Sequence, residues 1–278
     1  MTHRRLAAVL LVAILALSPV SGCVSKGTGT AQTQLTVTGS TTILPIAEVA
    51  ADMFHAQHPD LRVLVAGVGS SAGIESVVNG TSDIGTSSRD LKPEEKSLGL
   101  VDTPIAFDAI AVIVNPSNPV KSLTTSQVAQ IFEGTISNWK GVGGPDLPIG
   151  LVNRDEASGT REAFSKIVLN GGAFDPKAAV LPGTGQVRSV VAVSPTAVGY
   201  ISLGFVDASV KALTIDGVAP TEKSVADGSY PISRVLHFFT KGQPNPLSKR
   251  YIDFVLSDAI QQDVVRAAGF TPIKKGAK

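Results

Sequence analysis

The chain contains little of what many chemical functions require. Its 278 residues include one cysteine, four histidines and one tryptophan. A single cysteine cannot form an internal disulfide, and the histidines lack the spacing with carboxylates that metal sites use. Aromatic residues make up 5% of the chain and the formal net charge is +1, which offers neither base-stacking platforms nor a general attraction for nucleic acid. We therefore expect no metal, no cofactor and no nucleic-acid partner.

The apolar run near the N-terminus, residues 6–17, is too short to cross a bilayer, because a spanning helix needs about 20 apolar residues. It follows basic residues and leads through small residues into Cys23, a pattern typical of a bacterial lipoprotein signal. This predicts that residues 1–22 are removed, that Cys23 carries lipid, and that residues 24–34 form a flexible tether. The expected location is the extracytoplasmic face of the cell membrane, in a periplasm or at the cell surface. The alternative is an ordinary secretory signal with an incidental cysteine.

Short β-branched runs alternate with amphipathic helical patterns from about residue 35 onward. The apolar spacing predicts strands at 35–38, 61–66, 83–85 and 149–152, and helices at 45–57, 72–79 and 161–169. Alternation at this interval favours an open α/β sheet. Ligands of such sheets bind where the carboxyl ends of the strands meet the helix starts.

Hydroxyl and small side chains stand at four of these predicted strand-to-helix junctions. The segments are 39–42 (GSTT), 67–73 (GVGSSAG), 85–89 (GTSSR) and 153–160 (NRDEASGT). Helix N-termini present unpaired N–H groups, glycine allows close approach, and hydroxyls donate in many directions. Arg154 adds a group that can pair with two oxygens of a tetrahedral anion. Each hydroxyl alone could be a helix cap, but four such junctions together predict an oxyanion site.

These motifs, with the segments 131–134 (IFEG) and 198–203 (VGYISL), resemble the phosphate-binding proteins of the Pst-type ABC importer family. The resemblance implies a two-lobed α/β fold of the type II periplasmic-binding-protein class, with the ligand in the cleft between lobes and two hinge crossings. It also implies a monomer that is not an enzyme and that delivers inorganic phosphate to the permease subunits of an ABC transporter. Carried over by position, the phosphate ligands are Thr41, Thr42, Ser70, Ser88, Arg154, Ser158, Gly159 and Thr160.

The same resemblance implies where the lobes lie. Lobe 1 is expected at 35–108 plus 237–278, and lobe 2 at 109–236. The crossing strands are expected at 105–114 and 232–239, and two crossings form a hinge that permits closure over a ligand. Trp139 and Tyr200 of lobe 2 are expected to pack in its core.

One position departs from the family pattern. Better-known members have an aspartate where Ser88 aligns, and that carboxylate accepts the proton of hydrogen phosphate and so disfavours sulfate. Asp83 or Asp90 could supply an acceptor instead, although the simpler roles are a strand-end partner for Asp83 and a helix N-cap for Asp90. Arg89 either reaches the anion or pairs with a carboxylate.

Two other functions fit parts of the sequence. A receptor for another tetrahedral oxyanion, such as sulfate, molybdate or tungstate, would use the same residue types. A serine hydrolase would use the G-x-S-x-G pattern at 69–73, with Ser71 as the nucleophile. His237 is its available base, and it lies in an apolar stretch rather than in the loop that such a histidine usually occupies.

Overall fold

The computed structural model describes residues 33–273. The predicted signal peptide, Cys23, most of the predicted tether and the lysine-rich end at 274–278 lie outside the described residues. The strands are β1 (Gln34–Gly39), β2 (Arg62–Gly67), β3 (Ile84–Ser87), β4 (Leu100–Val114), β5 (Ser122–Leu123), β6 (Gly150–Arg154), β7 (Ala179–Leu181), β8 (Ala197–Ser202), β9 (Lys211–Ala212), β10 (Thr214–Ile215), β11 (Ser233–Lys241) and β12 (Thr271–Pro272). The helices are α1 (Leu44–Gln57), α2 (Ser70–Val78), α3 (Thr125–Phe132), α4 (Gly159–Val168), α5 (Thr184–Val193), α6 (Glu222–Ala226), α7 (Pro246–Val255) and α8 (Asp258–Ile260), the last continuing as a π-helix over Gln261–Arg266.

A mixed sheet runs through the described part of the chain in the order β2-β1-β3-β11-β4-β8-β6-β7, with β9 and β12 also pairing with β4. β1 is parallel to both β2 and β3, and β6 is parallel to both β7 and β8. β11 is antiparallel to β3 and β4. Four of these parallel strands, β1, β2, β6 and β7, are followed by the helices α1, α2, α4 and α5, whereas β3 and β8 are followed by 3-10 turns at Glu95–Leu98 and Leu203–Phe205.

The fold is two-lobed, and β4 extends through both lobes. Its first part, up to Ala109, pairs with β11, whereas residues Ile110–Val114 pair with β8. The strand is almost continuously apolar after residue 104 because both of its faces are covered in the second half. Ile110 and Val112 pack into one hydrophobic cluster, and the alternate residues Ala111 and Ile113 pack into another on the opposite face.

A separate hydrophobic cluster lies under the other end of the sheet. It combines α1 with the chain's C-terminal part, where Tyr251 and Phe270 are buried against residues such as Phe54 and Leu236. Segments that are far apart in sequence therefore share this core, and β4, paired with β11, contributes residues both to it and to the cluster around Ile110–Val112.

Several elements begin one or two residues earlier than the sequence pattern predicts. α2 starts at Ser70 rather than at residue 72, because Gly69, with φ of 103°, turns the chain directly into the helix. α4 starts at Gly159 rather than at residue 161, after Ser158 as its N-cap. Gln34, predicted to end the tether, is the first residue of β1 and pairs with Arg62.

The prediction that Asp90 caps a helix is wrong. The next helical turn is a short 3-10 segment at Glu95–Leu98, which Glu94 precedes. The carboxylate of Glu95 accepts a bond from the backbone N–H of Lys92 at 2.8 Å, and this bond stabilises a turn where the sequence suggests the first turn of a helix. Trp139, in contrast, is buried as predicted, with its indole N–H donating to the carbonyl of Thr196 at 3.0 Å.

None of the helices within residues 33–273 is both long and apolar enough to cross a membrane. Over the same residues, no cluster of three or more His, Cys, Asp or Glu side chains is arranged to hold a metal ion.

The tyrosines provide a test of this packing. Tyr200, Tyr230 and Tyr251 are the three tyrosines of the chain and all are buried, which raises the pKa of each phenol above its ordinary value of about 10. We expect no tyrosinate absorbance from the native protein at about pH 10.5, whereas protein in denaturant titrates near pH 10. Because the unfolded chain then binds fewer protons than the folded one, the free energy of unfolding falls as the pH rises beyond about 10. Tyrosinate absorbance in protein that keeps its native circular dichroism would contradict this packing.

Candidate functional site

Residues from the predicted junctions meet where the two lobes face each other. Thr41 and Thr42 follow β1, Ser70 opens α2, and Ser88 follows β3. From the other lobe come Arg154 at the end of β6 and residues Ser158–Thr160 at the start of α4. Because these strands are parallel within each lobe, their carboxyl ends lie on one edge and present the loops toward the opposite lobe.

One group of contacts forms around Arg154. Its Nη2 donates to the hydroxyl of Thr41 at 3.4 Å and its Nη1 donates to the hydroxyl of Thr184 at 3.1 Å. The two hydroxyl oxygens are 3.0 Å apart. Nε and Nη2 also donate to the backbone carbonyls of Leu181 and Pro182, at 3.2 and 2.8 Å. These bonds hold the guanidinium in one orientation at the junction of the two lobes.

A second group of contacts links the remaining hydroxyls. The Oγ1 atoms of Thr42 and Thr160 are 3.1 Å apart, and the Oγ atoms of Ser70 and Ser88 are 3.3 Å apart. The backbone N–H of Ser88 donates to Ser70 Oγ at 3.1 Å. All four side chains are buried. The structure thus brings together hydroxyls that lie up to 118 residues apart in the sequence.

Ser158 contributes differently from the other predicted ligands. Its hydroxyl accepts a bond from the backbone N–H of Arg161 at 3.2 Å, so it serves as the N-cap of α4. Gly159 and Thr160 occupy the first turn of that helix, where backbone N–H groups have no intrahelical partner. The start of α4 therefore combines a capped helix end with N–H groups that are suited to an anion.

Arg154 carries a charge that no carboxylate neutralises by direct contact within residues 33–273. Its side chain is 2% exposed, and its four hydrogen bonds end on neutral hydroxyl and carbonyl oxygens. Burial lowers the pKa of the guanidinium, while the nearby carboxylate of Asp155 acts in the opposite direction. Arginine nevertheless stays protonated in proteins. A buried charge of this kind needs a partner of opposite sign.

Two further residues belong to this site and were not predicted from the sequence. Thr184 begins α5 after the strand β7, so it marks a further strand-to-helix junction. Its signal is Gly183-Thr184-Gly185, but the preceding apolar strand has three residues, which is too short to show the alternation of a strand. Arg234 is the other, and it donates to Thr42 Oγ1 at 3.2 Å and to the carbonyl of Ser88 at 3.1 Å.

Arg89, one of the residues with two possible roles, pairs with carboxylates. Its Nη1 and Nη2 donate to Glu95 at 2.7 and 2.8 Å, and its Nε lies 2.8 Å from Glu162 in the first turn of α4. Asp83 accepts bonds from the backbone N–H and the hydroxyl of Thr36, both at 2.8 Å, as a strand-end partner. Asp90 lies within 3.5 Å of Lys166 and His237.

The residues of the hydrolase hypothesis have other partners. Ser71 Oγ accepts a bond from Nη2 of Arg89 at 3.3 Å. His237 pairs through Nδ1 with Asp102 at 2.8 Å, and its Nε2 lies 3.5 Å from Asp90. A serine hydrolase requires the nucleophile and its base within hydrogen-bond reach. Within residues 33–273, no hydrogen bond joins Ser71 to His237.

Comparison with known proteins identifies the family of the chain. Residues 24–259 match the family described as PBP superfamily domain. The phosphate-binding protein PstS of Bacillus subtilis is 37% identical over 254 residues, which cover 90% of this chain and 84% of that protein. A crystal structure from Clostridium perfringens, described as a phosphate ABC transporter substrate-binding protein with bound phosphate, superposes with a TM-score of 0.84 at 40% identity. The superposition covers 87% of this chain and 100% of the Clostridium perfringens chain.

A second solved structure gives the same result. An ABC-type phosphate transport receptor from Vibrio cholerae superposes with a TM-score of 0.73 at 35% identity, over 86% of this chain and all of that one. These relatives are transport receptors rather than enzymes, which excludes the hydrolase hypothesis. The chain belongs to the PstS family of phosphate-binding proteins, within the PBP superfamily.

Proposed function

We propose that this protein captures inorganic phosphate outside the cytoplasm and delivers it to the permease of an ABC importer. The observation that carries the proposal is the buried guanidinium of Arg154, which is bonded only to neutral oxygens. An anion bound between the lobes supplies the opposite charge. The relatives named phosphate-binding protein PstS point to phosphate as that anion.

The ligand set that we propose is the one implied by the family resemblance, extended by Thr184. Arg154 pairs with phosphate oxygens, and the hydroxyls around it donate further bonds. Backbone N–H groups at the start of α4 add donors and the positive end of a helix dipole. The proposed ligands are Thr41, Thr42, Ser70, Ser88, Arg154, Ser158, Gly159, Thr160 and Thr184.

A receptor for another tetrahedral oxyanion is the second candidate, and Ser88 is the observation that favours it. A serine hydroxyl both donates and accepts, so it does not reject an anion without a proton as a carboxylate does. Of the two other possible acceptors, Asp83 accepts bonds from Thr36, and Asp90 lies near Lys166 and His237.

Calorimetric titration of residues 33–278 with phosphate, arsenate, sulfate and molybdate separates the two candidates. We expect phosphate and arsenate to bind far more tightly than sulfate at about pH 8, where phosphate is mainly dibasic. Arg154→Ala should weaken phosphate binding by about a hundredfold or more, because charge-assisted hydrogen bonds are lost and their partners stay buried. Arg188→Ala is the matched control, since Arg188 is partly exposed and pairs with Asp207.

The outcomes of that titration are distinct. Equal affinity for sulfate or molybdate would assign the protein to a different importer. The protein is first unfolded and refolded to remove bound ligand. If it then gives no heat of binding with any of the oxyanions, the proposal is wrong. If Arg154→Ala bound phosphate with wild-type affinity, the phosphate site would have to lie elsewhere in the protein.

We further propose that the lobes, 35–108 with 237–278 and 109–236, close on the anion. Contacts across this division include the hydroxyl pairs Thr41–Thr184 and Thr42–Thr160, at 3.0 and 3.1 Å, and the Arg89–Glu162 ion pair. Gly159 of lobe 2 lies against Ser70 of lobe 1, so closely that an added Cβ would lie 2.3 Å from Ser70 Oγ. A side chain at this position would keep the lobes apart.

Gly159→Ala tests this closure. The methyl group should weaken phosphate binding by about tenfold or more, because overpacking at a buried contact is costly. The radius of gyration measured by X-ray scattering with phosphate should exceed that of the wild type. Gly185→Ala, in the first turn of α5, is the control, since its added Cβ meets no atom within 4 Å. Tight binding and a compact particle in Gly159→Ala would contradict closure at this contact.

The remaining part of the proposal concerns location. We propose that the protein acts as a monomer, held by lipid on Cys23 to the extracytoplasmic face of the membrane beside its permease. The basic start, the short apolar run and the small residues before Cys23 support this. A chain with two or more acyl groups is anchored stably.

Labelling with palmitate in a bacterium tests the anchor. The full-length chain should incorporate label and fractionate with membranes, and Cys23→Ser should lose the label and leave the membrane fraction. Ser25→Ala, which changes a residue of the predicted tether, is the control. A wild-type chain that is secreted without label would disprove the anchor and leave the phosphate proposal intact.

A further inference from the structure

A buried ion pair joins the two crossing strands beside the anion site. Arg234 of β11 and Asp108 of β4 are register partners. Asp108 Oδ2 accepts from Nε of Arg234 at 3.0 Å and from Nη2 at 2.7 Å. Both side chains are buried, at 4% and 0% exposure. The pair therefore lies in the low-dielectric interior at the place where the chain passes between the lobes.

The carboxylate of Asp108 is fully engaged within the protein. Its other oxygen, Oδ1, accepts from the hydroxyl of Ser202 at 2.7 Å and from the backbone N–H of Leu203 at 3.3 Å. These bonds fix the carboxylate from the side of β8 and leave it no role as an acceptor for a bound anion. Asp108 thus serves to hold Arg234 and to neutralise its charge.

Two of the three remaining N–H donors of Arg234 are directed at the anion site. Nη1 donates to the carbonyl of Ser88 at 3.1 Å, and Nη2 donates to Thr42 Oγ1 at 3.2 Å. Both acceptors belong to residues of the proposed ligand set. The guanidinium consequently contacts two ligand-bearing loops of lobe 1 from a strand that connects the lobes.

The bond to Thr42 occupies one acceptor position of that hydroxyl and holds it in place. A guanidinium has no acceptor atom, so Thr42 Oγ1 must accept from Arg234. The one proton of that hydroxyl then goes either to the ligand or to Thr160 Oγ1, 3.1 Å away. If it goes to Thr160, the proton of Thr160 is available for the ligand. In either arrangement one hydroxyl proton of the threonine pair is available to the anion, and the bond from Arg234 fixes the position of Thr42 Oγ1.

We propose that Arg234, held by Asp108, is a positioning residue that fixes the Thr42 hydroxyl and the Ser88 loop of the anion site. The proposal rests on the proposed phosphate-binding function. Asp108 compensates the charge of Arg234, so the pair is neutral as a unit. Arg154 remains the cation whose charge the ligand balances.

This role predicts opposite effects of changes at the two partners. Arg234→Gln removes both the charge and the fixed donor to Thr42, and phosphate binding should weaken by about tenfold to a hundredfold. Asp108→Asn keeps Arg234 but removes the compensating negative charge, so phosphate affinity should equal or exceed that of the wild type although thermal stability falls. A purely structural pair would lose affinity in both variants.

The experiment is calorimetric titration with phosphate, together with thermal unfolding followed by circular dichroism, on residues 33–278 of each variant. Arg266→Gln, in the exposed ion pair with Glu222, is the control for removing an arginine from an ion pair. Arg234→Lys covers the case in which the glutamine variant does not fold. An ammonium group can stay paired with Asp108, but it cannot also reach both Thr42 and Ser88 as the planar fork does, so phosphate binding should again weaken.

The proposal is overturned if the folded Arg234 variants bind phosphate within about twofold of the wild type. It is also overturned if folded Arg234→Gln and Asp108→Asn lose affinity by the same factor. Failure of the proposed function gives a different result, because the wild-type protein itself then shows no heat with phosphate.

Discussion

The arrangement of the cleft follows from one electrostatic constraint, the burial of Arg154 without a carboxylate in contact with it. A buried charge is tolerated when fixed dipoles and hydrogen bonds surround it, and carbonyls and hydroxyls from both lobes fulfil that role here. These bonds orient the guanidinium, but they do not neutralise its positive charge. This separates the site from the ion pair Arg234–Asp108 and from the Arg89–Glu95 pair, in which each arginine has its own carboxylate. Of these three buried arginines, Arg154 is the one whose charge a bound anion can balance.

The two lobes meet through short polar side chains and one glycine, which explains how such a cleft can close tightly. Hydroxyl pairs need about 3 Å between oxygens, and such distances are possible only because Gly159 has no side chain between α4 and Ser70. The connection between the lobes is more rigid than a loop, since β4 and β11 cross as paired strands. The closure that we propose would therefore twist two hydrogen-bonded strands, and the Arg234–Asp108 ion pair joins those strands.

Much of the fold and most residues of the candidate site could be predicted from the sequence, because the informative signals are local. Strand-to-helix junctions rich in glycine and hydroxyls can be recognised within a few residues, and the arginine at one of them stands out. Thr184 was missed because β7 is short and exposed and so has no apolar period to mark a strand end. Arg234 was missed because its role depends on its ion pair with Asp108. That residue lies 126 positions away and becomes a neighbour only through strand pairing. The error at Asp90 has a similar cause, since a side-chain bond from Glu95 overrides the local helix signal.

The order of the chain through the fold has a consequence for biogenesis. Hydrophobic residues near the C-terminus, such as Tyr251, Val255 and Phe270, complete the same core as Leu35 and Ile84 near the start. In a chain that emerges N-terminus first, the residues of 109–236 can pack among themselves, whereas the first core must wait for the end of the chain. The loops that carry Thr41 and Ser70 rest on that core. An incomplete translation product would therefore expose apolar surface and lack a formed cleft, so that proteolytic surveillance can distinguish it from the finished receptor.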